Sequence, residues 1–434
     1  MDLLKQCHVH TFGCKVNSYD TSLLEKRLAQ EEKGESLCSR PVHIFNTCAV
    51  TEEATREAVR QIRRLKRQVP HSLVVVTGCG AQVDTEVFVK LPEVDAVVAN
   101  SHKAHLQSVV KNLLEGEVSQ RVLKSNIFKK EDMEPGGGLE SRHTRAFLKV
   151  QDGCNSFCTF CVIPFARGKS RSLSVDEVVL QVQRLYEDGV REVVITGIHL
   201  GDYKDKEFVL EDLVENLLHR TRMPRFRLSS LEPVEVSDRL LELYQEERLC
   251  PHFHMSIQSA HSGVLKRMKR QYSQKEVIES LRRLDLKVPG AYVGMDVIVG
   301  FPGETRQAFQ ETYKCLKDLP WTRIHVFPYS ERPGTFATRF QDKVDLPEIR
   351  QRAFELRELS AWRLQQEAQK QLGKVKKILV LNNKVGLSRD YWNCQLPDLN
   401  WDPGKEYEIQ LNRLELSRIS QGFVFFEGEP CVAN

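Results

Sequence analysis

Cys154, Cys158 and Cys161 lie in the run Gln151-Asp152-Gly153-Cys154-Asn155-Ser156-Phe157-Cys158-Thr159-Phe160-Cys161, at a C-x₃-C-x₂-C spacing. Three thiolates so spaced can hold three corners of a four-iron cubane and leave the fourth iron without a protein ligand. An open iron is a place to bind a small molecule and act on it. Zinc would need a fourth Cys or His close by, and Val162-Ile163-Pro164-Phe165 supplies none. A disulfide framework is disfavoured in a chain that shows no secretion signal.

A second set of thiols follows three apolar runs: Thr11-Phe12-Gly13-Cys14, Phe45-Asn46-Thr47-Cys48 and Val76-Thr77-Gly78-Cys79. The separations are 34 and 31 residues, about one strand–helix repeat each. Ligand sites in open α/β sheets gather at the carboxyl ends of the strands, so Cys14, Cys48 and Cys79 are expected to converge on one edge as a second three-thiolate site. Three buried, inert cysteines are the plainer alternative.

The open iron of the first site can be chelated by the amino and carboxylate groups of S-adenosylmethionine. One electron passed into the sulfonium then breaks a carbon–sulfur bond and releases a 5′-deoxyadenosyl radical, which can take hydrogen from a carbon that no acid or base activates. Phe160 suits contact with the adenine ring, or simple packing beneath the loop. Asp296–Glu304 ends a buried strand in a glycine-rich turn, making Gly300 and Glu304 candidate cofactor contacts. Gly197, in Thr196-Gly197-Ile198-His199, is a candidate for the amino-acid end of the cofactor. Alone, each would be an ordinary strand-ending turn.

The elements that must position these residues fall into three segments. Apolar runs at 9–12, 42–45, 73–76 and 94–99 alternate with helical stretches and predict a parallel sheet covered on both faces, within an N-terminal domain of residues 1–128. Residues 129–142 contain Glu134-Pro135-Gly136-Gly137-Gly138, a linker signature. Strands near 147–150, 192–196, 226–230, 252–257, 292–299 and 324–329 predict a partial six-unit β/α barrel over residues 143–372, with Cys154–Cys161 at its mouth and a helix over 346–372 closing it. Residues 373–434 read as a small five-stranded β-barrel with Phe423 and Phe425 as core, and Tyr391, Trp392 and Trp401 free either to stack on bases or to pack. Arg56, Arg60, Arg63, Arg64 and Arg67 recur along one helix face; this is either a phosphate contact or a solvated surface. The net charge of +4 decides neither. With no long apolar segment, the expected location is the cytoplasm and no membrane partner is expected.

Both cysteine triads, in this order, resemble the methylthiotransferase family of radical S-adenosylmethionine enzymes. The resemblance spans nearly the whole chain: methylthiotransferase domain, radical domain and TRAM barrel. Thr11-Phe12-Gly13-Cys14-Lys15-Val16-Asn17, Asn46-Thr47-Cys48-Ala49-Val50-Thr51, Thr196-Gly197-Ile198-His199-Leu200-Gly201, Ser229-Ser230-Leu231-Glu232-Pro233 and His325-Val326-Phe327-Pro328-Tyr329-Ser330 look like the branch acting on N6-threonylcarbamoyladenosine beside the tRNA anticodon. The resemblance implies two [4Fe-4S] clusters, the catalytic one on Cys154, Cys158 and Cys161 and an auxiliary one on Cys14, Cys48 and Cys79. It also implies two S-adenosylmethionine molecules per turnover, as radical source and methyl donor, with hydrogen removed from adenine C2 and a methylthio group inserted. A flavodoxin-like reductant and a sulfur source are the further partners. Gln258 is implied as a cofactor contact, although Gln258-Ser259-Ala260-His261 departs from the family's usual Gln-Ser-Gly-Ser. The alternatives are the same chemistry on a ribosomal-protein aspartate, or a non-catalytic iron–sulfur RNA-binding module.

Overall fold

The computed structural model describes residues 7–30, 40–117, 121–133, 135–137, 144–382 and 384–431. The N-terminal domain runs β1 (Cys7–Thr11), α1 (Lys15–Gln30), β2 (Val42–Thr47), α2 (Glu52–Gln68), β3 (Leu73–Thr77), α3 (Gly78–Val83), α4 (Thr85–Val89), β4 (Ala96–Ala99), α5 (Leu106–Leu114) and β5 (Val122–Leu123). The five strands form one parallel sheet in the order β1-β2-β3-β4-β5. Alternate side chains bury on opposite faces, as the two-residue period of a strand requires. Val42, Ile44, Leu73 and Val75 pack with α1 and α5, while Phe45, Val74 and Val76 pack with Ala58 and Ile62 of α2. β5 is the short strand the apolar pattern does not reveal. α2 starts where Thr51 Oγ1 accepts the Ala54 N–H at 3.2 Å; it has Glu52 and Glu53 in its first turn and Lys66 and Arg67 in its last, both favourable to the helix dipole.

The central domain comprises β6 (Arg145–Lys149), β7 (Gln151–Asp152), α6 (Ile163–Arg167), β8 (Arg171–Ser172), α7 (Val175–Glu187), β9 (Glu192–Thr196), α8 (Leu210–Arg220), β10 (Phe226–Leu228), β11 (Ser230–Leu231), α9 (Asp238–Leu243), β12 (His252–Gln258), α10 (Ser262–Arg267), α11 (Gln274–Lys287), β13 (Tyr292–Val299), α12 (Arg306–Lys317), β14 (Arg323–Pro328) and α13 (Leu346–Gln369). Its parallel strands lie in the orders β6-β9-β10 and β11-β12-β13-β14. The expected six-strand open barrel is therefore present, with its third strand broken at Ser229, whose N–H goes to Ile195 O at 2.9 Å. β7 and β8 pair as a small antiparallel clip around the cysteine loop. α13 lies along β14 and closes the domain.

Of the expected linker, Glu134 and residues 138–142 lie outside the described residues. The described part packs closely: Gly136 N donates to Gln181 Oε1 of α7 at 3.2 Å, and a Cβ on Gly137 would lie 2.7 Å from Tyr19 O of α1.

The C-terminal strands β15 (Val375–Asn382), β16 (Val385–Ser388), β17 (Asn393–Gln395), β18 (Glu406–Glu415) and β19 (Phe425–Pro430) close into a barrel in the order β15-β16-β17-β19-β18. Val424 and Phe426 fill its core, so the expected alternation was one residue out of register. Phe423 is exposed and Phe425 only half-buried. Trp392 and Trp401 are buried in the same core. This barrel docks onto the central domain through two buried arginines of that domain. Arg225 donates to Glu406 Oε1 at 2.7 Å and to Leu387 and Ser388 carbonyls, and Arg227 donates to Arg389 O at 3.0 Å.

Both arginines also hold Glu192, which Arg145 reaches at 2.6 Å, Arg225 at 2.8 Å and Arg227 at 3.0 Å. Burial alone would raise the Glu192 carboxyl, but the three guanidinium groups hold it well below the usual carboxylate range. Glu192→Ala leaves three guanidinium groups without their shared counter-charge and is expected to destabilise the chain by about 3–5 kcal/mol. Urea titration followed by tryptophan fluorescence measures the loss, and a change below about 1 kcal/mol contradicts this account.

Candidate active site

The N-terminal cysteines follow three adjacent strands, since Thr11 pairs with Asn46 and Asn46 with Thr77. Cys48 and Cys79 are buried and Cys14 is exposed. The Val50 N–H points to Cys48 Sγ at 3.5 Å, Asn100 Nδ2 to Cys79 Sγ at 3.6 Å, and Arg167 Nε to Cys79 Sγ at 3.2 Å. Gly13 has φ +96°, and a Cβ there would sit 2.8 Å from Cys48 Sγ, so only glycine lets the β1 end pass this close. Burial, then the neighbouring Cys79, pushes the Cys48 thiol up to about 12. Burial also raises Cys79, with Arg167 opposing.

The central cysteines sit on the loop between β7 and β8. Cys154 N donates to Gly168 O at 3.1 Å, and Gly153, with φ +79°, would place a Cβ 2.0 Å from Lys169 O. Burial works to raise Cys154, but His199 Nδ1 at 3.7 Å and the Ser156 N–H at 3.4 Å bring it below its usual value. Burial, then Cys158, pushes Cys161 up to about 12. Cys158 is raised by burial, with Arg270 opposing.

These donor sets suit clusters better than single ions. Tetrahedral zinc with Zn–S of about 2.3 Å brings sulfurs within roughly 4 Å of one another. Among the described residues, the groups whose ligand atoms all lie within 4.8 Å are Cys154–His199–Asp202 and His199–Glu232–Glu235, and neither cysteine triad is so tight. Each triad also has a cation or N–H donors at a sulfur, which suits the negative charge of a thiolate-held cluster.

Of the expected cofactor contacts, Phe160 lies under the loop with its ring 6.3 Å from Phe301 and the Arg270 guanidinium 5.7 Å away. Gly197 backs onto Gln151, whose Oε1 also accepts the His199 N–H at 2.9 Å. Gln258 ends β12 at a bulge with φ +60°. Gly300 faces Ile349 of α13, and its N–H goes to Glu304 Oε2 at 2.6 Å. The Glu304 carboxylate also receives Arg352 Nη1 at 2.8 Å, so it braces the turn. The substituted Ala260 is fully buried, and His261 Nδ1 caps α10 by accepting the Val264 N–H at 3.2 Å; the added bulk serves the helix start.

Sequence reasoning missed the side chains around the sulfurs. His199 turns its Nδ1 toward Cys154 and Asp202 and its Nε2 toward the carboxylates of Glu235 and Glu232. Arg270 pairs with Glu232. Arg167, six residues after Cys161, crosses into the N-terminal domain. Besides Cys79 it reaches Asn17 Oδ1 at 2.6 Å, Asp20 Oδ2 at 3.1 Å and Asp152 Oδ1 at 3.0 Å. Lys149 joins both carboxylates, at 2.5 Å to Asp20 and 3.1 Å to Asp152, and Lys103 adds 3.0 Å to Asp20. No motif carries this network. Only the odd excess of charge near apolar strand ends hints at it.

The two triads flank a small apolar patch of Ala49, Cys79, Val162 and Ala166. On the outer face of α2, Arg56 pairs with Glu52, and Arg60 with Glu53 and Glu57. A cleft of about 790 Å³ opens beside this helix, lined by Arg56, Arg60, Arg63 and Arg332.

The chain was compared with known proteins. Residues 148–316 match the radical SAM superfamily, and residues 6–99 match the uncharacterized protein family UPF0004. The threonylcarbamoyladenosine tRNA methylthiotransferase MtaB of Aquifex aeolicus is 39% identical over 88% of this chain and 94% of that protein. The Rickettsia prowazekii protein of the same name is 34% identical over 95% of each. The chain belongs to the radical S-adenosylmethionine methylthiotransferase family. It is therefore an enzyme, a transferase, and family membership brings with it a [4Fe-4S] cluster and S-adenosylmethionine. The tRNA-2-methylthio-N(6)-dimethylallyladenosine synthase of Oceanobacillus iheyensis, 30% identical over 87% of the chain and 74% of its own length, is a more distant member. Among solved structures, the radical S-adenosylmethionine methyltransferase TsrM of Kitasatospora setae matches with a TM-score of 0.50 at 15% identity. That match covers 67% of this chain and 64% of TsrM, a likeness of fold. No helix among the described residues is long and apolar enough to cross a membrane.

Arg167 is the side chain most exposed to test. Arg167→Ala leaves Asp20 and Asp152 short of a partner and is expected to cost about 3–5 kcal/mol in denaturant unfolding. Arg167→Lys should recover only part, because an ammonium cannot reach a sulfur and two carboxylates together. Full recovery by lysine would contradict the forked geometry.

Proposed function

We propose that this methylthiotransferase acts on tRNA, converting N6-threonylcarbamoyladenosine beside the anticodon to its 2-methylthio derivative. The observation that carries the reading is the neighbouring pair of three-thiol sites, joined through Arg167 and the apolar patch between them. The printed activities of the Aquifex and Rickettsia relatives support the choice of substrate.

In this reading Cys154, Cys158 and Cys161 hold the cluster that engages S-adenosylmethionine, and Cys14, Cys48 and Cys79 hold a second, auxiliary cluster. When bound, the first supplies the electron that generates the hydrogen-abstracting radical, and the second serves sulfur delivery. Two S-adenosylmethionine molecules are used per turnover, one for the radical and one for the methyl group. The chain's own residues set the stage: Phe160, Gly197, Gln258 and Gly300 line the place of S-adenosylmethionine, and Glu304 shapes the Gly300 turn. Arg270 and His199 offset negative charge at the central thiolates, and Arg167 does so at Cys79. The labour divides among residues 1–128, 143–372 and 373–434, joined through 129–142. A cytoplasmic reductant of flavodoxin type and a sulfur source complete the system.

Cys158→Ala is expected to abolish reductive cleavage of S-adenosylmethionine, and Cys48→Ala to retain some cleavage while making no methylthio product. Both are read by mass spectrometry of 5′-deoxyadenosine and of digested tRNA nucleosides. Methylthiolated product from the Cys48 variant would defeat the auxiliary-cluster assignment. Product on a ribosomal-protein aspartate and none on tRNA would defeat the substrate assignment.

A further inference from the structure

Lys15 follows Cys14 and opens α1, but its side chain serves another domain. It extends to the concave face of the central barrel, where its charge meets Tyr391, Arg145, Arg227 and Asp296, with His252 and His325 also in range. On β12 and β13 the residues His254 and Asp296 of this face are half-buried while their neighbours in sequence are buried, and His325 on β14 is half-buried beside them. The concave face thus presents a set of half-buried polar groups.

The charges on this face do not balance. Arg145 and Arg227 are committed to Glu192. Asp296 is committed to His254, whose Nε2 lies 2.8 Å from Asp296 Oδ1, and the His254 ring stacks on His325 with centroids 5.4 Å apart. Among the described residues the Lys15 ammonium has no hydrogen bond and no close ion pair. A cation withdrawn from bulk water and left unpaired is costly, and an anionic ligand group removes that cost.

We propose that Lys15 determines specificity by receiving the carboxylate of the threonylcarbamoyl group on the target adenosine, with the His254–Asp296 pair beside it for the substituent's hydroxyl. This rests on the tRNA reading above and deepens it. Lys15 adjoins Cys14, so a base held by its N6 substituent there lies next to the N-terminal triad. A neutral alkyl substituent would leave the ammonium unpaired. A site built around a buried polar group rejects ligands that cannot satisfy it.

The test uses the reconstituted full chain and anticodon stem-loops carrying unmodified adenosine, N6-threonylcarbamoyladenosine, or the same group with its carboxylate converted to an amide, with binding read by fluorescence anisotropy. The wild-type chain should bind the carboxylate loop at least about tenfold more tightly than either of the other two, as befits one charge-assisted contact. Lys15→Met, at equal iron per chain, should lose most of that preference while its Kd for the unmodified loop stays within about twofold. Lys15→Arg should keep it. Undiminished preference in Lys15→Met, or equal wild-type binding of acid and amide loops, overturns the role of Lys15. If wild-type protein makes no methylthio product from the threonylcarbamoyl loop, the substrate reading fails instead, so the two failures are distinguishable.

Discussion

The burial of Arg167 against Asp20, Asp152 and Cys79 is the constraint on which the arrangement of this molecule depends. A guanidinium removed from water needs every donor met and its charge balanced. Here the partners come from two domains. Asn17, Asp20 and Cys79 belong to the N-terminal sheet domain, and Asp152 to the clip that holds the central cysteine loop. The two buried carboxylates, Asp20 and Asp152, are met by four cations, Lys103, Lys149, Arg167 and Arg171. Thus the electrostatics that fix the two domains together reach a thiol of the N-terminal triad, through Arg167 Nε and Cys79 Sγ.

The same cation explains why the sites need no direct contact. Arg167 lies on α6, which begins two residues after Cys161 and so moves with the central loop. Its Nε rests on Cys79 and its two terminal nitrogens on Asp152, Asn17 and Asp20. A short, rigid element with a forked tip therefore sets the distance between the two triads. Val162 and Ala166 on the same element pack against Ala49 and Cys79, excluding water from the interval. In a water-poor interval charges act more strongly on one another than they would at the surface.

Much of this was legible in the chain itself. The strand ends that carry Cys48 and Cys79 announced themselves because burial on both faces demands continuous apolar runs, and the edge strand before Cys14 by its shorter run Val9–Phe12; the turn after each run is where polar chemistry is possible. The six central strands were legible for the same reason. β5 was not, being two residues long, and neither was the break at Ser229, which depends on how two sheets diverge. Phe423 and Phe425 misled because alternation gives a period but not a phase; Val424 and Phe426 hold the inward positions. The side chains at the sulfurs were the least legible. Apart from the local His199–Asp202 pair, Arg167, His199 and Arg270 reach across 15 to 150 positions of sequence to their partners, and pairings of that range leave no local pattern.

Tyr391 shows how the C-terminal barrel enters this scheme. Its backbone has φ +70°, a conformation that costs a non-glycine residue of order 1 kcal/mol or more and persists only when surroundings impose it. Those surroundings belong to the central domain: the ring lies 4.0 Å from that of His252, with the Arg227 guanidinium 4.9 Å from its centroid. The barrel thus inserts a strained residue beneath the face that Lys15 reaches from the opposite domain. Arg225, bonded to both Glu192 and Glu406, fixes it there. The C-terminal barrel thus packs against the same central strands whose side chains surround Lys15, so all three domains contribute to those surroundings.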